Sequence, residues 1–392
     1  MQRIRPSATL KIANKVRELK SQGKDIISFT YGEPDFDTPD YIKHAGVEAI
    51  QTGKTRYTST YGILELRKAI SHKLKLDNNL DYNVDQIIVG CGAKQILYSV
   101  FMATINSEDE VIVPTPCWAS YPDMISLFGG NFINLETKHS DNFRININKL
   151  ESLISNKTKW LLLNLPNNPS GVVYNSNELE EIADMLLRYP HVNILVDDIY
   201  EHIVFDNNKY ISFATVATKL RDRLFVVNGV SKAYAMTGWR LGYGAGPKAL
   251  IDAIATLQSQ STTHASSISQ YAAVTALTSG KDVLEENVKK LENKRDIAYE
   301  LLQQIKEIEC PKPQGAFYLL PSIHRIIGKK TPDQRVIEND IDFVEYLLEY
   351  GVAVVPGEPF FAKNHVRISF GTSIEDIKSG INKIAKAVSD LK

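Results

Sequence analysis

The sequence predicts an α/β protein with a large, mostly parallel sheet flanked by helices and a smaller α+β domain behind it. Three observations carry this. Short β-rich runs alternate with helical patterns from about residue 86 to residue 245. Several runs are nearly continuously apolar, as strands covered on both faces of a parallel sheet must be. Beyond Gly280 the texture changes to one long charged helical pattern, three short strands and a closing amphipathic helix.

Candidate strands are Gln86–Val89, Glu110–Val113, Lys159–Leu163, Asn193–Val196, Arg223–Val227 and Leu241–Ala245. Between them, Leu179, Ile182, Ala183, Leu186 and Leu187 follow the spacing of a core-facing helix. Residues 281–310 read as helix, and residues 315–320, 352–355 and 366–370 as strands. The expected division is an arm and lid segment over residues 1–44 that joins the small domain, a large domain over 45–285 and a small domain over 286–392.

The chain has 392 residues, enough for two to three domains at about 150 residues each. Lys plus Arg number 45 and Asp plus Glu 46, so the net charge of −1 gives no reason to expect nucleic acid or an anionic membrane as partner. An anionic ligand must then be held by local positive groups. Cys91, Cys117 and Cys310 form neither a disulfide framework nor a metal clamp, which suits a reducing, cytoplasmic setting. No membrane span or apolar signal core is evident, and the eight histidines lack metal-binding spacing. The acid-free, basic stretch over residues 1–17 has a transit-peptide flavour, but a different use of this segment is preferred below.

Open α/β sheets bind ligands beyond the carboxyl ends of their strands. The predicted strand ends carry Gly90-Cys91-Gly92-Ala93-Lys94, then Pro116-Cys117-Trp118, Asn164 through Gly171, Asp197-Asp198-Ile199-Tyr200, and Ser231-Lys232 with Arg240 eight residues on. Each piece alone has a bland reading. The Gly90–Lys94 run could be a plain turn, Trp118 a core residue and Lys232 a solvated amine. Asp197 or Asp198 could cap a following helix. Gly242-Tyr243-Gly244-Ala245-Gly246 lacks the spacing of a dinucleotide fingerprint and, being followed by Pro247, reads as a tight turn. Together they offer an amine, a buried acid, amide and phenol donors, a stacking ring and an anion cup. A planar, phosphorylated pyridine aldehyde needs that set.

The sequence resembles the fold-type I pyridoxal-phosphate aminotransferases of class I/II. The resemblance runs over nearly the whole chain, through Gly32-Glu33-Pro34-Asp35-Phe36, Tyr57-Thr58-Ser59-Thr60-Tyr61-Gly62, Pro166-Asn167-Asn168-Pro169-Ser170-Gly171, Asp197-Asp198-Ile199-Tyr200-Glu201, residues 231–240 and Arg367-Ile368-Ser369-Phe370. It implies a seven-stranded sheet, a pyridoxal 5'-phosphate cofactor and ping-pong transamination. It further implies that Lys232 carries the cofactor and moves protons, and that Asp197 faces the ring nitrogen. Asn168 and Tyr200 would bond the ring oxygen, and Trp118 would stack on the ring. The Gly92 and Ala93 amides would hold the phosphate with Arg240. Tyr57 would reach a phosphate across a homodimer interface. Gly229 stands where some relatives carry a phosphate-binding hydroxyl, which puts that contact in doubt.

On the substrate side, the resemblance implies that Arg367 clamps the α-carboxylate with help from the Gly32 backbone, Asn168 and Trp118. The chain is most similar to the bacterial aspartate aminotransferase branch, in which a lysine at the position of Lys94 takes the side-chain carboxylate. Arg5, Ser7 and Thr9 match positions of that branch's closing arm, and a basic residue at position 5 suits prephenate as a second substrate. Aspartate or glutamate with 2-oxoglutarate or oxaloacetate is the first expectation. A carbon–sulfur β-lyase on the same scaffold is the rival within the fold. A cofactor-sensing regulator would need an added basic domain, and a Rossmann dehydrogenase would need a glycine fingerprint that this chain lacks.

Overall fold

The structure, a computed structural model, describes residues 8–392, with side chains from residue 11 onward. All six expected strands form, each within two residues of its expected ends. They join a seven-stranded sheet in the order Ile87–Gly90, Gly242–Ala245, Leu224–Gly229, Asn193–Asp197, Thr158–Asn164, Glu110–Thr115 and Asn131–Glu136. Gly242–Ala245 runs antiparallel to both neighbours, and every other pairing is parallel.

The two-period of the central strands sets the cores. Leu161, Leu163, Ile194, Val196, Leu224 and Val226 face one buried cluster. Leu162, Leu195, Phe225 and Val227, offset by one residue, face another. Each fully buried side chain of this kind contributes about 1.5–3 kcal/mol, so a one-residue slip in register would cost the whole central sheet.

The sheet has the seven strands expected, but one of them has no counterpart among the candidate strands, and three readings need correction. The seventh strand, Asn131–Glu136, has no apolar run: only Leu135 is buried, because the strand lies at the sheet edge. Residues 242–246 are not a tight turn, and the glycines serve close packing instead. A side chain at Gly242 would strike the Gly92–Ala93 backbone, and one at Gly244 would meet the Phe225 ring at 2.6 Å. No helix follows Asp197 directly, so neither aspartate caps one. Asp197 accepts from the Ile199 N–H, and Asp198 accepts from the Ser212 hydroxyl at 2.7 Å. Leu187 is 40% exposed at the end of the helix Ser176–Leu186, and Met185 fills the core in its place.

A second core gathers Ile27 and Phe29 with Tyr318, Phe343, Val352, Ile368 and Ile384. Ile27–Ser28 pairs in parallel with Val352–Ala353. Val355–Pro356, Val366–Ser369 and Tyr318–Leu319 form a three-stranded antiparallel sheet. The helices Asp282–Gln303, Asp340–Glu349 and Ile374–Ser389 belong to the same region. Ile199, Tyr200, Ile203 and Phe205 also enter this core, so the turn after Asp197 leaves one core for the other.

Candidate functional site

The candidate residues meet where the sheet's carboxyl ends face Val366–Ser369 and the segment around Gly32. At the first strand end, Gly92 has φ +91° and precedes the helix Ala93–Thr104. A Cβ there would lie 2.7 Å from Arg240 Nη2, so glycine supplies both the left-handed backbone and the room for the guanidinium. Arg240 also has a positive φ, and its Nη1 donates to the Thr237 carbonyl at 2.8 Å. The Gly92 N–H donates to the Gly90 carbonyl at 2.8 Å, so the amides open to a ligand are those that start the helix at Ala93, and beside an arginine they suit a phosphate group.

Lys94 Nζ lies 4.6 Å from the centre of the Trp118 ring. Burial, then the nearby Arg240 charge, lowers the Lys94 pKa. Trp118 in turn meets Tyr121 edge-on at 5.3 Å.

Asp197 ends the strand Asn193–Asp197, follows the apolar run Ile194-Leu195-Val196 and is 4% exposed. Its Oδ2 accepts from Tyr121 Oη at 2.6 Å, and no lysine or arginine pairs with it among the described residues. Burial raises its pKa to about 6, against the opposing pull of the Tyr121 bond. Asn164 Nδ2 holds the Asp197 carbonyl at 3.0 Å, and Asn164 Oδ1 accepts from the Asn168 N–H. Neighbouring strand ends thus fix each other.

The raised Asp197 pKa gives a testable sign. The neutral form is favoured by folding, so the benefit is full below the ordinary carboxylate value near 4. It is lost as pH rises through about 6. Two pKa units correspond to about 3 kcal/mol. Asp197→Asn should therefore match the cofactor-free wild type in stability at pH 4 and exceed it at pH 8 by an amount of that order. Urea denaturation at the two pH values reads this difference directly.

Lys232 is partly buried, and its Nζ donates to the Gly32 carbonyl at 2.6 Å. Burial is the main cause that brings its pKa down to about 8. Glu33 opposes the shift, and Arg367 and Arg240 add to it. Lys232 is thus a desolvated amine beside the Gly32 segment and not the solvated lysine of the bland reading. Glu33 Oε2 also accepts from Thr237 Oγ1 at 2.5 Å, five residues beyond Lys232.

Arg367 is 3% exposed and has no carboxylate partner among the described residues. Its Nη1 donates to Asn168 Oδ1 at 3.2 Å and its Nη2 to the Thr30 carbonyl at 3.1 Å. Nε has no partner. The guanidinium lies 4.5 Å from the Tyr318 ring centre and 4.8 Å from that of Phe360. Burial lowers its pKa. A buried cation held only by neutral acceptors and ring faces is poised for an incoming carboxylate. Tyr200 Oη shares a 3.0 Å hydrogen bond with Tyr318 Oη, and burial pushes the Tyr200 pKa well up.

Gly32, Gly92, Ala93, Lys94, Trp118, Asn168, Asp197, Tyr200, Lys232, Arg240 and Arg367 are thus linked by direct contacts or by shared neighbours around one crevice. Tyr57 stands apart: it is 90% exposed and meets His264 edge-on at 5.8 Å. Gly229 packs against the Gly242 backbone, with a built Cβ 3.0 Å from Gly242 Cα, so a larger residue has no room there. Arg5 and Ser7 lie outside the described residues, as does the Thr9 side chain, although Thr9 belongs to the helix Ala8–Ser21. Sequence reading missed Tyr121 and Tyr318. Tyr121 had a signal, one helical turn after Trp118. Tyr318 had none, since its role arises from a strand 118 residues beyond Tyr200.

The arrangement offers a desolvated amine, a buried acid awaiting a cation, an anion cup and a free carboxylate clamp. Comparison with known proteins agrees with that chemistry. Residues 24–384 match the family model "Aminotransferase class I and II". A probable aspartate/prephenate aminotransferase of Rickettsia felis is 49% identical, with 98% of this chain and 94% of that protein covered. The aspartate aminotransferase of Rhizobium meliloti is 44% identical over 97% of this chain and 93% of its own length. A crystal structure of a Rhizobium meliloti aspartate aminotransferase superposes with a TM-score of 0.95 at 43% identity, covering 99% of this chain and 100% of that one. A Thermus thermophilus aspartate aminotransferase structure with maleate gives a TM-score of 0.92 at 38% identity, with 98% of each chain covered. With the fold, the site chemistry and these full-length likenesses in agreement, the chain belongs to the class I and II aminotransferases, and its reaction is transamination.

Proposed function

We propose that this enzyme transfers the amino group of aspartate or glutamate to a 2-oxo acid with pyridoxal 5'-phosphate as cofactor, and that it also aminates prephenate. The observation that carries the reading is Arg367, a buried guanidinium with an unpartnered Nε, linked through Asn168 to the strand ends that also hold Asp197 and Lys232. The names of relatives at 44–49% identity support the substrates, and none of those relatives is named as a lyase.

The residues fit the cofactor group by group. Asp197, buried without a cation, suits a protonated ring nitrogen. Gly92, Ala93 and Arg240 suit the phosphate, Trp118 the ring face, and Asn168 and Tyr200 the ring oxygen. Lys232 suits the carbonyl carbon. When bound, the cofactor supplies a ring that draws electrons from the substrate's α carbon. The chain does the rest. Arg367 and the Gly32 backbone hold the α-carboxylate. Lys232 Nζ, with its pKa brought down to about 8 and so partly neutral at physiological pH, would accept the α proton and deliver it to the cofactor's former carbonyl carbon. Tyr121 keeps the Asp197 carboxylate turned toward the ring. In the second half-reaction the same groups act in reverse on the acceptor.

Lys94 beside Trp118 suits the distal carboxylate of a dicarboxylic substrate, with Arg5, Ser7 and Thr9 on the closing arm. Lys94→Ala should raise KM for aspartate about 10- to 100-fold and leave alanine unaffected, because only the distal charged hydrogen bond is lost. Arg5→Ala should weaken prephenate more than oxaloacetate. Steady-state kinetics with the four substrates checks both, and equal losses on alanine and aspartate would remove Lys94 from this role.

The exposed Tyr57 supports a homodimer in which a second copy covers it and its hydroxyl joins the phosphate site. The three cysteines are free, which fits a cytoplasmic protein. No helix among the described residues is long and apolar enough to cross a membrane.

A further inference from the structure

Behind the catalytic residues lies a buried polar knot that the reaction itself does not use. Glu201 directly follows Tyr200 and is 5% exposed. Its Oε1 accepts from Lys73 Nζ and, at 2.7 Å, from Asn228 Nδ2. Its Oε2 accepts from Asn78 Nδ2 at 2.7 Å. His202 Nε2 stands 3.3 Å from Oε1. Lys73 also donates to Asn78 Oδ1 at 2.7 Å, and Lys73, Asn78 and Asn228 are all buried.

The partners come from three separate elements. Lys73 and Asn78 sit on the helix Leu64–Asn78. Asn228 sits on the strand Leu224–Gly229, four residues before Lys232, and its Oδ1 accepts from the Gly229 N–H at 2.7 Å. Glu201 sits on the turn that carries Asp197 and Tyr200. Residues 197–201 contain three buried carboxylates, and only Glu201 has a cation against it. Burial works against the Glu201 charge, but Lys73 and His202 outweigh it and hold the carboxyl below its usual range.

A buried ion pair is weak evidence for stability, since desolvation offsets the attraction. Such a pair with both carboxylate oxygens hydrogen-bonded, from a helix and from a strand, is evidence for fixed geometry. From this arrangement we infer that Glu201 is a positioning residue, the joint through which Asn228 and Lys73 lock the Asp197–Tyr200 turn to the strand end leading to Lys232. The inference rests on the cofactor reading above. A shift of about 1 Å between two groups acting on one cofactor costs on the order of 100-fold in rate. Arg367 and Lys94 lie on other elements, and the turn's link to Arg367 runs through Tyr200 and Tyr318, so substrate capture is affected less than cofactor placement.

The test uses the full-length holoenzyme and three readings: the dissociation constant of pyridoxal phosphate, kcat against KM for aspartate, and Tm. Glu201→Gln breaks the joint and leaves the buried Lys73 with Asp77, 3.8 Å away, as its remaining carboxylate, so this variant can fail to fold. Asn228→Ala cuts only the tie to the lysine strand and leaves the Lys73–Glu201–Asn78 contacts in place. For Asn228→Ala, cofactor affinity or kcat should fall about 10- to 100-fold, with KM for aspartate held within about twofold. A loss under about threefold in both, whatever happens to Tm, makes the knot merely structural and overturns the inference, as does a loss confined to KM. If the wild type itself binds no pyridoxal phosphate, the cofactor reading fails, and that outcome is distinct from wild-type binding that Asn228→Ala leaves untouched.

Discussion

Lys232→Ala is expected to lower the rate of transamination at least about 10⁴-fold while leaving the fold intact. An ordinary lysine, with a pKa near 10.4, is well under 1% neutral at pH 8. Lys232, brought down to about 8, is half neutral there, which gives roughly a hundredfold more of the reactive amine. Burial does this work, and the removal of the ammonium's water is the physical cause. The same amine is the only one among the described residues that reaches the Gly32 carbonyl, so no neighbour can take its place. Single-turnover kinetics on the cofactor-loaded variant reads the loss. Its circular dichroism and Tm should stay close to wild type, because only one hydrogen bond, to a backbone carbonyl, is given up. Turnover within tenfold of wild type would remove Lys232 from the mechanism.

Arg367→Met should separate function from stability. The substitution removes a two-pronged donor from the site while filling much of the same slot between Tyr318 and Phe360. Loss of a desolvated charge partner for the substrate costs about 2–5 kcal/mol, or roughly 30- to several thousand-fold in kcat/KM for aspartate. The cofactor-free protein should be no less stable, because the guanidinium has no carboxylate partner in the fold and its burial is a cost. Thermal unfolding and steady-state kinetics on the same preparation give both values. A large fall in Tm with kcat/KM preserved would make Arg367 a structural cation instead of a substrate clamp. Arg367→Lys should recover only part of the rate, since an ammonium keeps the charge but not the fork.

How far the sequence reveals this site depends on where each residue sits. The inner strands are legible because burial on both faces leaves runs such as Trp160-Leu161-Leu162-Leu163 and Ile194-Leu195-Val196. Those runs end at Asn164 and Asp197, so the strand-end rule finds the crevice. Asn131–Glu136 escapes because an edge strand has little to bury. The glycines at 242, 244 and 246 read as a turn because composition cannot tell conformational freedom from close approach. Only the Phe225 ring and the Gly92–Ala93 backbone, set against the strand, reveal why a side chain is excluded. The Tyr121–Asp197 bond spans 76 positions and the Lys73–Glu201 pair 128. No local pattern encodes such pairs. They exist because the βαβ crossovers return distant strand ends to one edge of the sheet. The family motifs bridge part of this gap, since they mark residues by role. They do not say which second residues hold those roles in place.

In the proposed function, Lys232 and Arg367 serve one cofactor-dependent amino transfer on a dicarboxylic substrate. The most direct test is the absorption spectrum of the protein reconstituted with pyridoxal phosphate, followed by aspartate without any oxo acid. A visible band should move to the near ultraviolet with aspartate and return when 2-oxoglutarate or prephenate is added. No coloured complex after reconstitution would contradict the role of Lys232. A coloured complex that aspartate leaves unchanged would contradict the substrate reading.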